Sequence, residues 1–408
     1  MDEPSPPLAL HRQRRKVELL RQQVYDQPDP NADPERFQTL LEAETYLLQL
    51  EQAHEAATSV EQAGILLDST APAAGGQLMG GETTGIEVKV QLRQARIPTA
   101  IVHLLDPLEA PLVTYKVAYR GEEFVRLRLT SFVEGYSAQA VDTVELTYQQ
   151  PTGEINQLPT FFPAALQAVN ERTRATLHIQ VDDLDGAAEQ HSTFPIWLQA
   201  RTSACLGLHD PASGRWVDLT HYLAAWVTPN APSVMKLLRE AAGYHPDKMI
   251  IGYQGGREAV EAQVRAAFEA LKALGIQYVN SVLAFGADRG ELMQRIRCPR
   301  EALENQSANC IDGAVLMASV LEAASLSPGL VLVPGHAFLA WETMEGSGEW
   351  DYLETTMIGS HPFEAAQATG RALAQKWSAQ ARQSKDARYF RLLPLAEIRA
   401  NKGVTPME

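Results

Sequence analysis

Asn305-Gln306-Ser307-Ala308-Asn309-Cys310-Ile311-Asp312-Gly313 leads into an apolar helical run that lasts to about Ala324. Next comes Leu330-Val331-Leu332-Val333-Pro334-Gly335-His336-Ala337-Phe338-Leu339-Ala340-Trp341. After a Gly/Ser turn stands Trp350-Asp351-Tyr352-Leu353-Glu354-Thr355-Thr356. The first stretch reads as a helix opening at the cysteine, with Val315, Val320 and Leu321 buried. The second reads as a β-branched strand, a Pro-Gly break and a new strand opening at His336. The third is a further strand carrying two carboxylates.

That order suits a thiol nucleophile. A thiol attacks as thiolate, and with an ordinary pKa of about 8.5 few such groups are ionised at neutral pH. A cysteine in the first turn of a helix sits beside unpaired N–H groups and the positive dipole end. These favour the anion by about 0.3–1 kcal/mol at exposed sites, and a neighbouring imidazolium does more. Cys310 is therefore the candidate nucleophile and His336 the candidate base. The N–H of Cys310, with a side-chain donor from Asn305 or Gln306, is the candidate oxyanion site. A third residue must orient the imidazole. Asp351 and Glu354 are the two candidates, and their odd separation puts them on opposite faces of a strand, so only one can do so. Asp312 would oppose a thiolate two positions away; it is read as the first-turn acid that stabilises the helix.

Cys205 and Cys298 lack this context and read as structural. His361 reads as a loop residue able to line the cleft. Trp341 and Tyr352 suit cleft wall and core equally. Upstream, Ser233–Ala242 and Arg257–Leu274 read as helices by period and by Ala/Leu/Glu content. Gly252-Tyr253-Gln254-Gly255-Gly256 between them lacks the Lys-Ser/Thr of a phosphate loop and reads as a turn.

Before Trp226 the period is two. Ile86 to Leu92, Val113 to Tyr119, Val125 to Leu129, Val144 to Tyr148 and Leu177 to Val181 each alternate apolar with polar residues. Such one-sided strands predict an antiparallel β-sandwich over 86–222, with no cluster of His, Cys or carboxylates in it. Residues 68–85, rich in Gly, Ala and Thr, read as a linker. In residues 1–67, Val17, Leu20 and Val24, then Phe37, Leu40, Leu41, Leu47 and Leu48 after Asp33-Pro34, predict a helical hairpin. Its apolar stripe over 8–66 needs a cover, either a partner protein or a second copy of the chain.

Bulk properties narrow the function. The 408 residues suffice for two or three domains, and the formal net charge of −15 argues against a nucleic-acid grip. The short basic run from Arg12 to Lys16 reads as a solvated helix face. No apolar run reaches the ~20 residues that span a bilayer, and no charged-then-apolar leader opens the chain. Three cysteines without close spacing suggest neither disulfides nor a structural zinc, so no metal and no cofactor is expected, in a reducing, cytoplasmic setting.

The phrases Asn309-Cys310-Ile311-Asp312-Gly313 and Val333-Pro334-Gly335-His336-Ala337-Phe338 resemble the transglutaminase-like superfamily, in a bacterial intracellular branch. The likeness extends back to about Trp226. It implies an α+β multidomain chain whose residues 223–408 form a papain-like thiol domain with a Cys-His-acid triad. In that superfamily the acid is an Asp; here Glu354-Thr355-Thr356 stands in its place, so the resemblance assigns the third role to Glu354, with Asp351 the alternative. The implied activity is a cysteine peptidase or amidase acting on a protein or peptide. An acyl transferase shares its first step, and a non-catalytic scaffold that keeps the fold is the competing class. The acidic loops of calcium-dependent members are not seen, which favours hydrolysis.

Overall fold

The computed structural model describes residues 85–408 except 109, 187, 210–215, 280–290 and 408. Before residue 85 it describes 16, 17, 20, 43 and 77–80. Lys16, Val17, Leu20 and Ala43 are helical, and Val17 and Ala43 are buried. The remainder of the hairpin expected over 8–66 lies outside the described residues.

The first unit contains β1 (Gln77–Gly80), β2 (Ile86–Leu92), β3 (Arg96–Ile97), β4 (Val113–Tyr119), β5 (Val125–Val133), β6 (Ala140–Leu146) and β7 (Thr152–Gln157). A short helix, α1 (Pro163–Gln167), precedes β8 (Thr173–Asp183) and β9 (Glu189–Leu198). They form two sheets, β1-β2-β4-β7 and β3-β9-β8-β5-β6. Val88, Tyr115 and Val117 from the first join Leu127, Leu129, Leu177, Ile179 and Ile196 from the second in one core. In β8, Ala175, Leu177, Ile179 and Val181 are buried while the residues between them are more exposed, as a half-buried strand requires. Full burial of each aliphatic side chain contributes about 1.5–3 kcal/mol.

Three expectations change here. Gln77–Gly80, inside the segment read as linker, pairs antiparallel with β2. The sheets are antiparallel except where β3 pairs parallel with β9. The boundary at 222 falls too late, because the next two strands leave both sheets.

The second unit runs through β10 (Ser203–His209), β11 (Trp216–Asp218), α2 (Pro232–Ala242), α3 (Gly256–Ala273), β12 (Gln277–Tyr278) and β13 (Glu291–Arg295). It continues with α4 (Pro299–Glu304), β14 (Ser307–Ala308), α5 (Cys310–Ala323), β15 (Pro328–Val333), β16 (His336–Glu342) and β17 (Trp350–Leu353). Last come α6 (Phe363–Ser384), β18 (Arg391–Pro394) and α7 (Leu395–Lys402). β10 pairs with both β11 and β13. The expected 86–222 span took in β10, whose partner β13 is so distant in sequence that it leaves no local signal.

Ile311 through Leu321 are all buried, so α5 is the axis of this unit rather than a surface helix. α2, α3 and α4 pack on it, as do β15 and β16 of the antiparallel sheet β17-β16-β15-β18. The two units meet where Ala100 and Ile101 enter the core of the second. The chain end closes over this junction, with the Arg201 guanidinium donating to the Met407 carbonyl at 2.6 Å.

Candidate active site

The start of α5 is held by a reciprocal cap. Asn309, extended at the N-cap position, accepts from the Asp312 N–H at 2.8 Å, and Asp312 accepts from the Asn309 N–H at 3.1 Å. Asp312 also accepts from the backbone N–H and the Nη1 of Arg297, both at 2.8 Å. Its carboxylate is thus occupied by the helix cap and by Arg297. Burial pushes the Asp312 carboxyl above the usual range, against the opposing pull of these hydrogen bonds and the Arg297 charge. Neither Asn309 nor Arg297 was singled out from the sequence. Asn three residues before Asp is a readable capping pattern, but the reach of Arg297 is tertiary.

Cys310, half-buried, occupies the first helical position. Opposite it sits Thr355, whose hydroxyl donates to the Cys310 carbonyl at 3.3 Å. Gly313 permits that approach, since a Cβ there would stand 3.1 Å from Thr355 Oγ1 and 3.2 Å from its Cβ.

His336 is placed by a tight hairpin. Val333 pairs directly with His336 across Pro334-Gly335, and Gly335 has φ +72°, the conformation that favours glycine at the second corner of a type II turn. The ring stacks on Phe338 at 6.2 Å between centroids. Its Nε2 lies 2.6 Å from Glu354 Oε2. Cys310 lies close enough to act on the same ring and favours its charged form. Burial alone would drive the His336 proton off. The Glu354 charge, the nearby Cys310 and the hydrogen bond with Glu354 outweigh it and hold the ring well above its ordinary pKa.

Glu354 leaves β17 as the cap of a short 3-10 turn, Thr355–Met357. Its Oε1 accepts from the Thr356 N–H at 3.0 Å and the Thr356 hydroxyl at 2.6 Å. Burial raises this carboxyl, but the His336 charge and the hydrogen bonds from His336 and Thr356 bring it below the usual range. Thr356 is a third residue given no role from the sequence; an acid followed by Thr-Thr is a local signal for such a cap. The Glu354 N–H donates to the Ala366 carbonyl at 3.0 Å, so α6 covers the edge of β17. Gly370 makes this possible: a Cβ there would lie 2.7 Å from Leu353 N.

Of the two candidate acids, Glu354 and not Asp351 meets the imidazole. Asp351 is clasped by Arg371 Nε and Nη2 at 2.7 and 2.5 Å, and accepts from Gln367 Nε2 at 3.1 Å. The side-chain oxyanion donors also need correction. Gln306 spends its amide on the Leu274 carbonyl at 2.8 Å, and Asn305 is exposed at the C-terminal end of α4. Both precede β14, which separates them from the cysteine.

Cys298 is fully buried at the start of α4, and Cys205 is half-buried on β10. His361 is buried, with Nδ1 2.7 Å from the Ser360 hydroxyl. Trp341 belongs to the core, and Tyr352 packs edge-on against Phe338. Among the described residues no group of three or more His, Cys, Asp or Glu is placed to hold a metal ion. No described helix is long and apolar enough to cross a membrane.

No protein-family model matches this chain, and no curated protein matches it either. What stands is the geometry: an imidazole bonded to a carboxylate at the end of β17, with the thiol that opens α5 near enough to raise the pKa of the ring.

Proposed function

We propose that this chain is a cysteine peptidase or amidase of transglutaminase-like type, with Cys310, His336 and Glu354 as its triad. The observation that carries the reading is the single imidazole bonded to Glu354 through Nε2, with Cys310 near enough to favour its charged form. Cys310 Sγ attacks the amide carbonyl carbon, and the thiol proton passes to His336. The C–N bond breaks, His336 protonates the departing amine, and a thioester remains. Water then attacks the thioester, giving a proton back through His336, and the acid product leaves with the thiol restored. Glu354 keeps the ring in one orientation and stabilises its charged form throughout. The Cys310 N–H, at the helix start, is the donor for the developing oxyanion.

The test uses the full chain and an electrophilic peptide library, read by mass mapping. The expected result is an adduct on Cys310 and on neither Cys205 nor Cys298, slowed at least tenfold by His336→Ala. With cleavable peptides in ¹⁸O water, hydrolysis places one ¹⁸O in each new carboxylate. An added primary amine appearing in the product instead identifies acyl transfer. If Cys310 is labelled no faster than Cys205 and no amide is opened, the reading fails and a binding protein is left.

A further inference from the structure

A cavity of about 450 Å³ opens beside the start of β17, and the triad side chains take no part in its wall. Its size lies within the span of about 300–1,000 Å³ common for small-ligand sites. Trp350 and Tyr352 supply aromatic surface, and two ion pairs flank them, Arg257 with Glu349 and Arg371 with Asp351.

The charges cancel. An anion would have to displace Asp351 from a two-point clasp at 2.7 and 2.5 Å, and a cation would meet two guanidiniums. A neutral ligand avoids both penalties. Both guanidiniums retain N–H donors and Glu349 retains lone pairs beyond those Arg257 uses, whereas the Asp351 oxygens are filled by Arg371, Gln367 and the Tyr352 N–H. A hydroxyl both donates and accepts, so one hydroxyl can bridge Arg257 and Glu349. Gln375 and Ser378 on α6 add groups of the same double character. Thr343, 5% exposed, lines the same cavity, and its Oγ1 has no hydrogen-bond partner among the described residues. That oxygen is sealed from solvent as the cavity stands, so Thr343 contributes wall rather than a polar contact. Aromatic faces carry partial negative charge and receive the weakly positive C–H face of a sugar ring.

We propose that this cavity binds a neutral saccharide of one or two rings. The proposal does not rest on the activity of Cys310.

The experiment is ligand-observed NMR and calorimetric titration of the full chain with cellobiose, maltose, lactose and N,N′-diacetylchitobiose. A neutral tripeptide, tri-alanine, and an acidic disaccharide, cellobiouronic acid, serve as comparisons. At least one neutral disaccharide should bind saturably. Trp350→Ala should weaken it at least tenfold, and so should the double variant Arg257→Ala with Gln375→Ala. That pair is the safer test, since the Arg257 side chain is 56% exposed and its loss leaves the core alone. Three results overturn the proposal: no saturable saccharide binding to folded parent, saccharide binding that the double variant leaves unchanged, or tighter binding of the tripeptide or the acidic disaccharide than of any neutral one.

Discussion

His336 Nε2 and Glu354 Oε2 stand 2.6 Å apart with side chains 12% and 5% exposed. Two ionisable groups so far from water are costly unless each stabilises the charge of the other. Here they do, and Thr356 occupies the second carboxylate oxygen. The pair is a fixed unit beside the start of α5.

The pair sets a pH window for stability. The His336 pKa is raised on folding, so its contribution is complete below its ordinary 6.5 and is lost as pH rises through the folded value. The Glu354 pKa is lowered, so its contribution is complete above its ordinary 4.5 and is lost as pH falls through the folded value. The Tm difference between the parent and a His336→Gln, Glu354→Gln double variant should therefore be largest between 4.5 and 6.5 and shrink on both sides. A difference that stays flat from pH 4 to pH 9 would show the pair to be electrostatically silent.

Glu354→Gln keeps a hydrogen-bonding group beside the ring but removes its charge. The pKa of His336 should fall, which NMR titration of the ring reads directly. On a cleavable peptide, kcat/KM should drop by about 10²–10⁴-fold, the range for losing a positioned acid–base group or its orienting acid. Asp351→Asn, which touches Arg371 and Gln367 instead, should cost less than tenfold.

Arg297→Met leaves Asp312 buried beside the helix cap without its cation. Breaking a buried pair in this way costs about 3–5 kcal/mol, measurable by urea unfolding. Asn309→Ala removes only the cap acceptor and should cost about 0.5–2 kcal/mol. If the two variants are equally stable, the Arg297 contact adds nothing beyond the cap.

Gly370→Ala forces a methyl group to within 2.7 Å of Leu353 N and the Tyr352 carbonyl carbon. Either α6 retreats from β17 or the strand shifts, and Glu354 at its end moves with it. Overpacking of this kind costs about 1–3 kcal/mol. The rate of Cys310 adduct formation should fall as well, in folded protein, which a loss of stability alone would not produce.

Much of the second unit was legible locally. The 3.6-residue period placed α2, α3 and α5, and Pro334-Gly335 marked the turn that opens β16 at His336. The odd spacing of Asp351 and Glu354 pointed to one acid at the imidazole, but the strand ends at Leu353, before the residue that takes that place. Gln306 misled because nearness in sequence to Cys310 says nothing about direction: with φ +47°, its backbone turns through the left-handed region, and its side chain reaches back to Leu274. The boundary at 222 missed for the opposite reason, since β10 pairs with β13, which is remote in the chain.

By itself the amino-acid sequence determined the elements and the residue types at their starts: a cysteine opening a helix, a histidine opening a strand, two carboxylates in the segment that follows. These follow from periodicity, capping and turn chemistry, which act over a few residues. Only the tertiary structure decided which carboxylate meets the imidazole, which cation neutralises Asp312 and how closely α6 approaches β17. Those outcomes depend on contacts between segments far apart in the chain, where side-chain direction and backbone clearance, not local propensity, govern the free energy.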